Sequence, residues 1–198
     1  MATKHFYNLG YRFFRMPWEI GPRGELVELV TSGRLKPGRA VDLGCGTGAN
    51  AVFLARQGFD VTGIDFAPAG LAKTVKAAEA AGVSVEVVCA DLTALDPDLG
   101  PFDLLVDYGT FDDLSDVDRA RYVESVSRLA HPGSEFLLWC FEWPLRRRDR
   151  WTGMRTIEPG EVQRRFGAQW DFERLGGSQR PDMRKFIAGS AYYLGRRK

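Results

Sequence analysis

The stretch VDLGCGTGAN, Val41 to Asn50, decides how the rest of the chain is read. Apolar Val41 and Leu43 flank an acid, Asp42, and glycines follow at Gly44, Gly46 and Gly48. Glycines at this spacing let a backbone turn sharply and approach a ligand closely, as in loops that join a buried strand to a helix. Gly44, Gly46 and Ala49 satisfy a relaxed dinucleotide fingerprint. Asp42 fits that use badly, because a carboxylate against the loop repels a pyrophosphate and attracts an ammonium. The loop is expected to hold a cofactor with a cationic amino-acid end.

Outward from the loop, strands and helices alternate. RAVDLG is a short buried strand, TGANAVFLARQG a helix, and FDVTGID a second strand; Pro68 then opens a helix through APAGLAKTVKAAEAAG. VSVEVVCAD and PFDLLVDYG are the third and fourth strands, and Ser115 with Asp118 forms a capping box for a helix lined by Tyr122, Val126 and Leu129. His131–Gly133 is expected to break that helix, leaving SEFLLWCFEW as a long strand buried on both faces. A short helix in IEPGEVQRRFG precedes two strands, AQWDFERLG and RKFIAGSAYYLGRR, whose connection leaves no room for a crossover helix. They predict a hairpin, with the last strand antiparallel to the rest. Upstream, PRGELVELVTSG carries a helix ahead of the first strand.

With 198 residues, 44% of them hydrophobic, and a net charge of +1, the chain is expected to be one globular domain. That balance, and the lack of a helix-turn-helix or zinc-finger pattern, argue against a nucleic-acid partner. No stretch is apolar enough for a signal or a membrane span, so a cytoplasmic protein, a monomer or weak dimer, is the expectation. Cys45, Cys89 and Cys140 lie in or beside apolar runs and read as reduced thiols, and His5 and His131 pair with nothing at metal-ligand spacing, so no metal is expected. The basic run Arg146–Arg155 reads as a solvated loop or as a clamp for an anion.

Together these motifs resemble the class I S-adenosylmethionine-dependent methyltransferases over about residues 40 to 195. VDLGCGTG is similar to the family's first motif, which implies that Asp42, Gly44, Cys45, Gly46 and Gly48 lie beside the methionine portion of S-adenosylmethionine. GIDFAP ends the second strand in Asp65, nineteen residues after Gly46, where the family accepts hydrogen bonds from both ribose hydroxyls, with Phe66 adjacent. CADLTAL offers Asp91 to the adenine amino group and Leu92 to its ring, and FDLLVDYGTF places Asp107 and Tyr108 near the sulfonium. The resemblance implies a Rossmann-like α/β fold: a seven-stranded, mostly parallel sheet with the last strand antiparallel and helices on both faces. Residues 1–35 would form a helical lid extension on a 36–198 core.

The acceptor is expected to be a small molecule, since DYGTF follows the fourth strand where DNA amino-methyltransferases carry two prolines. PWEIG and the DYGTF turn are similar to small thiol, thiopurine and tellurite-resistance methyltransferases and to fatty-acid O-methyltransferases. That likeness implies Trp18 near the cofactor and Phe111 near the acceptor. The aromatic-rich segment before the first helix nominates Tyr7, Tyr11, Phe14 and Trp18 as a lid over the acceptor, with Trp143 and Arg146 beyond the fifth strand. No side chain stands out as a general base and no catalytic residue is assigned, which favours an acidic acceptor, a fatty-acid carboxylate in the first place and a small thiol in the second. A nicotinamide-dependent oxidoreductase and a non-catalytic cofactor-binding protein are the alternatives from other classes.

Overall fold

The computed structural model describes residues 4–143, 155–178 and 189–198. Two helices, α1 (Lys4–Phe13) and α2 (Gly24–Thr31), lead into β1 (Arg39–Leu43), α3 (Ala49–Arg56), β2 (Asp60–Asp65), α4 (Pro68–Ala81) and β3 (Glu86–Cys89). They are followed by β4 (Phe102–Tyr108), α5 (Asp116–Ser127), β5 (Ala130–Phe141), α6 (Glu161–Phe166), β6 (Trp170–Ser178) and β7 (Ser190–Arg197). The strands form one sheet in the order β3-β2-β1-β4-β5-β7-β6. The pairs among β1 to β5 are parallel, and β7 runs antiparallel to both β5 and β6. Strand order reverses between β1 and β4, so a crevice opens outside their C-terminal ends, where open α/β sheets take ligands.

Local chemistry accounts for the element ends. Pro68 stands at the start of α4 and Gly82, with φ 69°, caps its end. The Ser115 hydroxyl accepts from the Asp118 backbone N–H at 3.2 Å, which starts α5. One expected boundary is wrong: His131–Gly133 lies inside β5, whose first residue, Ala130, pairs with Phe102. The register then slips, and Leu104 pairs with Glu135. The proline and glycine are absorbed as an irregularity at the beginning of a strand, a position sheets tolerate.

Each face of the sheet buries its own cluster. On one, α5 and α6 cover Leu105, Phe111, Tyr122, Phe136, Phe166 and Trp170; on the other, Leu26 and Val30 of α2 join Leu54, Val61, Leu104 and Leu137. The extension expected over residues 1–35 therefore divides. Helix α2 is part of the core, whereas α1 forms a small separate cluster in which Tyr11 and Met16 pack on Ala67. No helix among the described residues is long and apolar enough to cross a membrane.

Candidate active site

Register carries three acids to one edge of the sheet. Leu43 of β1 sits beside Ile64 of β2 and Asp107 of β4, so the ends of all three strands converge on the glycine loop. The loop is pinned by two bonds, from the Gly44 and Cys45 backbone N–H groups to the Ile64 carbonyl at 2.8 and 3.0 Å. Gly44 and Gly46 have φ of 75° and 55°. A side chain on Gly44 would run into Thr110, and one on Gly46 would come within 2.8 Å of the Tyr11 hydroxyl. The left-handed backbone and these neighbours together make any other residue strained at both positions.

The acids fix the surrounding backbone. Asp65 accepts from the Gly46 N–H at 2.9 Å and the Ala67 N–H at 2.8 Å, which ties the loop to the start of α4. Asp107 accepts from the Thr110 and Phe111 N–H groups at 2.8 and 3.1 Å and from the Tyr122 hydroxyl, shaping the turn after β4. All three are buried, and no ion pair to any of them is present among the described residues. Burial, with Asp107 and then Asp65 adding repulsion, pushes the Asp42 carboxyl up to about 7 against the Ala51 backbone and Arg23. Burial also raises Asp107 to about 6, opposed by the Tyr122, Thr110 and Phe111 bonds, and raises Asp65. Buried carboxylates this close together keep their charge at a cost that a cationic ligand offsets. The donor set fits a group carrying an ammonium and a sulfonium.

Helix α1 lies across this edge. The Trp18 indole N–H donates to the Tyr11 hydroxyl at 3.0 Å, the Tyr7 hydroxyl donates to Asp113 at 2.9 Å, and the Ala69 N–H donates to the Asn8 side chain at 2.9 Å. Tyr7 also packs edge-on to Phe66, ring centroids 5.6 Å apart. Tyr7, Tyr11, Trp18 and Phe66 therefore gather beside the loop. Phe14 does not: α1 ends at Phe13 and the Phe14 side chain turns outward, 66% exposed. Had the helix run on, Phe14 would have followed Tyr7 and Tyr11 on the inner face.

The remaining predicted residues do not share one place. Asp91 is exposed and accepts from the Thr93 N–H and hydroxyl, while Leu92 beside it is buried in the main core. Tyr108 stacks on Trp139 at 4.4 Å, with the Arg23 guanidinium 3.9 Å over its other side, and Phe141 and Trp143 continue this aromatic row along the end of β5. Phe111 departs from its expected place: it is fully buried between Tyr122 and Phe166 on the α5 side and presents no surface to an acceptor. Arg146 and the rest of the basic run up to Met154 lie outside the described residues. His131 is distant from the loop, paired with Asp103 at 2.9 Å near the opposite end of β4.

One acid at this edge is not signalled by the sequence. Asp112, in the turn after β4, is 2% exposed, and its Oδ1 has no hydrogen-bond partner among the described residues. A side chain on Gly109 would lie 3.5 Å from the Trp139 ring and 4.0 Å from that oxygen, so Asp112 sits beneath the aromatic row. The pair Asp112–Asp113 by itself reads as a solvated loop. No group of three potential metal ligands occurs among the described residues. A depression of about 480 Å³ lined by Arg34, Trp170 and Arg196 opens at the N-terminal edge of the sheet, away from the carboxylates, and is no part of this site.

A family model described as a methyltransferase domain matches residues 40–133. The chain is 34% identical over 131 residues to a 2-heptyl-1-hydroxyquinolin-4(1H)-one methyltransferase of Mycobacteroides abscessus, a match covering 65% of this chain and 57% of that protein. It is 30% identical over 128 residues to an uncharacterized methyltransferase of Schizosaccharomyces pombe, covering 64% of this chain and 88% of that one. In fold it is similar to 1,6-didemethyltoxoflavin-N1-methyltransferase of Burkholderia thailandensis, solved with S-adenosylhomocysteine, with a TM-score of 0.74 at 18% identity over 98% of this chain and 87% of that chain. These matches set aside the nicotinamide-dependent and non-catalytic alternatives. With the glycine loop, the acidic strand ends and the reversed seventh strand, they establish that the chain belongs to the class I methyltransferases and uses S-adenosylmethionine.

Proposed function

We propose that the protein methylates an ionisable oxygen on a small, largely apolar acceptor, a fatty-acid-like carboxylate being the lead. The observation that carries this reading is the adjacency of two surfaces: the buried acids Asp42, Asp65 and Asp107 at the glycine loop, and the aromatic row Tyr108, Trp139, Phe141 and Trp143 at the next strand ends. The first suits a cation and the second an apolar body. A relative that acts on a hydroxyquinolone bearing a heptyl chain supports an acceptor that joins an oxygen to a hydrocarbon tail.

In this reading the loop residues Gly44, Cys45, Gly46 and Gly48 and Asp42 hold the amino-acid end of the cofactor. Asp65, with Phe66, takes the ribose, and Asp91 and Leu92 face the adenine. Asp65 has lone pairs left for this after its two backbone bonds. When bound, S-adenosylmethionine supplies an electrophilic methyl group on a positively charged sulfur. The protein contributes alignment and exclusion of water, which favour a displacement that neutralises charge. Tyr7, Tyr11 and Trp18 on and after α1 act as the cover, seated by the bonds to Asp113 and Ala69.

Competition between octanoate and octanethiol, followed by release of S-adenosylhomocysteine, tests the acceptor class. Ester formation from octanoate is expected. Turnover of the thiol with no ester from any acid would replace the oxygen acceptor by a sulfur one.

A further inference from the structure

Asp107 shapes the turn 109–115 so that its two following acids part company. Asp113 reaches α1, where the Tyr7 hydroxyl donates to it, whereas Asp112 folds back under Trp139 and Gly109. The nearest cation does not compensate Asp112. The Arg119 guanidinium donates to the backbone carbonyls of Phe111, Asp112 and Thr156 and pairs with Glu161 at 3.1 Å, so the Asp112 carboxyl is opposed only by the backbone of Phe141 and of Asp112 itself, and its Oδ1 has no partner among the described residues. The titratable groups around it are Asp107, Asp113, Tyr7, Tyr122 and Cys140, none of them cationic. A carboxyl oxygen buried without a partner destabilises the fold, and no bond to Oδ1 within the described residues offsets it.

Resting on the oxygen-acceptor reading above, we infer that Asp112 is an acceptor-binding residue, whose neutral carboxyl donates a hydrogen bond from Oδ1 to the acceptor's oxygen and aims it at the methyl group. Burial and the neighbouring carboxylates hold this acid well above the usual carboxylate range, so it carries the proton that such a bond requires. The proton stays on Asp112 throughout, so an acceptor that is already ionised needs no base. Specificity follows, because a thiolate accepts such a bond weakly and an oxygen anion accepts it strongly. The donor is present below the elevated pKa of Asp112 and is lost as pH rises through it.

The test uses the full chain with octanoate as probe, comparing wild type, Asp112→Asn and Asp112→Ala. Asp112→Ala is expected to raise the KM for octanoate ten- to a hundredfold with S-adenosylhomocysteine affinity, read by calorimetry, unchanged. Asp112→Asn, which keeps an N–H donor, is expected to restore most of the affinity and to remove the rise of KM with pH expected of the wild type. A fall in kcat in Asp112→Asn at unchanged KM would make Asp112 a base and overturn the inference. Unchanged KM in both variants would make it structural and overturn the inference equally. Failure of the oxygen-acceptor reading is distinguishable, since wild type would then form no ester at all.

Discussion

The two ends of the sheet treat their acids in opposite ways. At the N-terminal end Asp103 is exposed, accepts from the Arg39 N–H at 2.7 Å and pairs with His131, and these partners hold its carboxyl below the usual range. Arg34 pairs with Glu135 and Lys198 with Asp171 nearby, again in solvent. At the C-terminal end Asp42, Asp65, Asp107 and Asp112 are buried, have no ion pair among the described residues and are pushed up. One edge neutralises its own charge, for little stability. The other leaves Asp42, Asp65 and Asp107 for a ligand's positive charge and holds Asp112 protonated, and ionising these buried acids costs the folded state stability.

Four measurements would break or sharpen that contrast. The largest effect is expected from Asp107→Ala, which strands the Thr110 and Phe111 N–H groups and the Tyr122 hydroxyl in the interior. It should lower stability by about 3–5 kcal/mol in urea denaturation, and an unchanged midpoint would show that the turn is held by something else. Next comes pH. The folded Asp42, at about 7, holds its proton more tightly than an unfolded aspartate, near 3.9. The stability this gives is fully present below the unfolded pKa and is lost as pH rises to about 7. The cofactor-free protein should therefore lose about 2–3 kcal/mol between weakly acidic and weakly alkaline buffer, and Asp42→Asn should flatten the curve. A wild-type curve that rises with pH instead would contradict the picture of an uncompensated edge.

Gly44→Ala is third. Its positive φ and the nearby Thr110 side chain make the added methyl costly, and S-adenosylhomocysteine binding should weaken by about 1–2 kcal/mol in calorimetry. Wild-type affinity in this variant would show that the ligand does not need the loop in its present shape. The smallest effect belongs to the opposite edge: Asp103→Asn should cost only a few tenths of a kcal/mol. A loss comparable to that of Asp107→Ala would abolish the distinction between the two ends.

Element order is legible in the sequence because each buried strand is a short apolar run bounded by glycine, proline or an acid, a pattern independent of its neighbours. The beginning of β5 is not, since Ala130 joins the sheet only through Phe102, a pairing invisible in HPG alone. The same divide runs through the site. Asp42, Asp65 and Asp107 stand out because each lies at the end of a strand or one residue before it. Asp112 does not, because its burial depends on where β5 places Trp139 and Phe141. Phe111 and Phe14 depart from expectation for related reasons: in the turn, Asp107 binds the Phe111 N–H and its ring enters the core, and α1 stops one residue too early to turn Phe14 inward.

The hydrogen bond from Trp18 to Tyr11, above Gly46, has a spectroscopic consequence. Indole emission shifts with the polarity around the ring, and Trp18 is only partly shielded while it holds that bond. A ligand that displaces the tyrosine hydroxyl on entering beside Gly46 would also move the indole bonded to it. Subtracting the signal of a Trp18→Phe variant isolates this fluorophore from the four other tryptophans. Stopped-flow mixing would then time the seating of α1 separately from methyl transfer, with no label added to the chain.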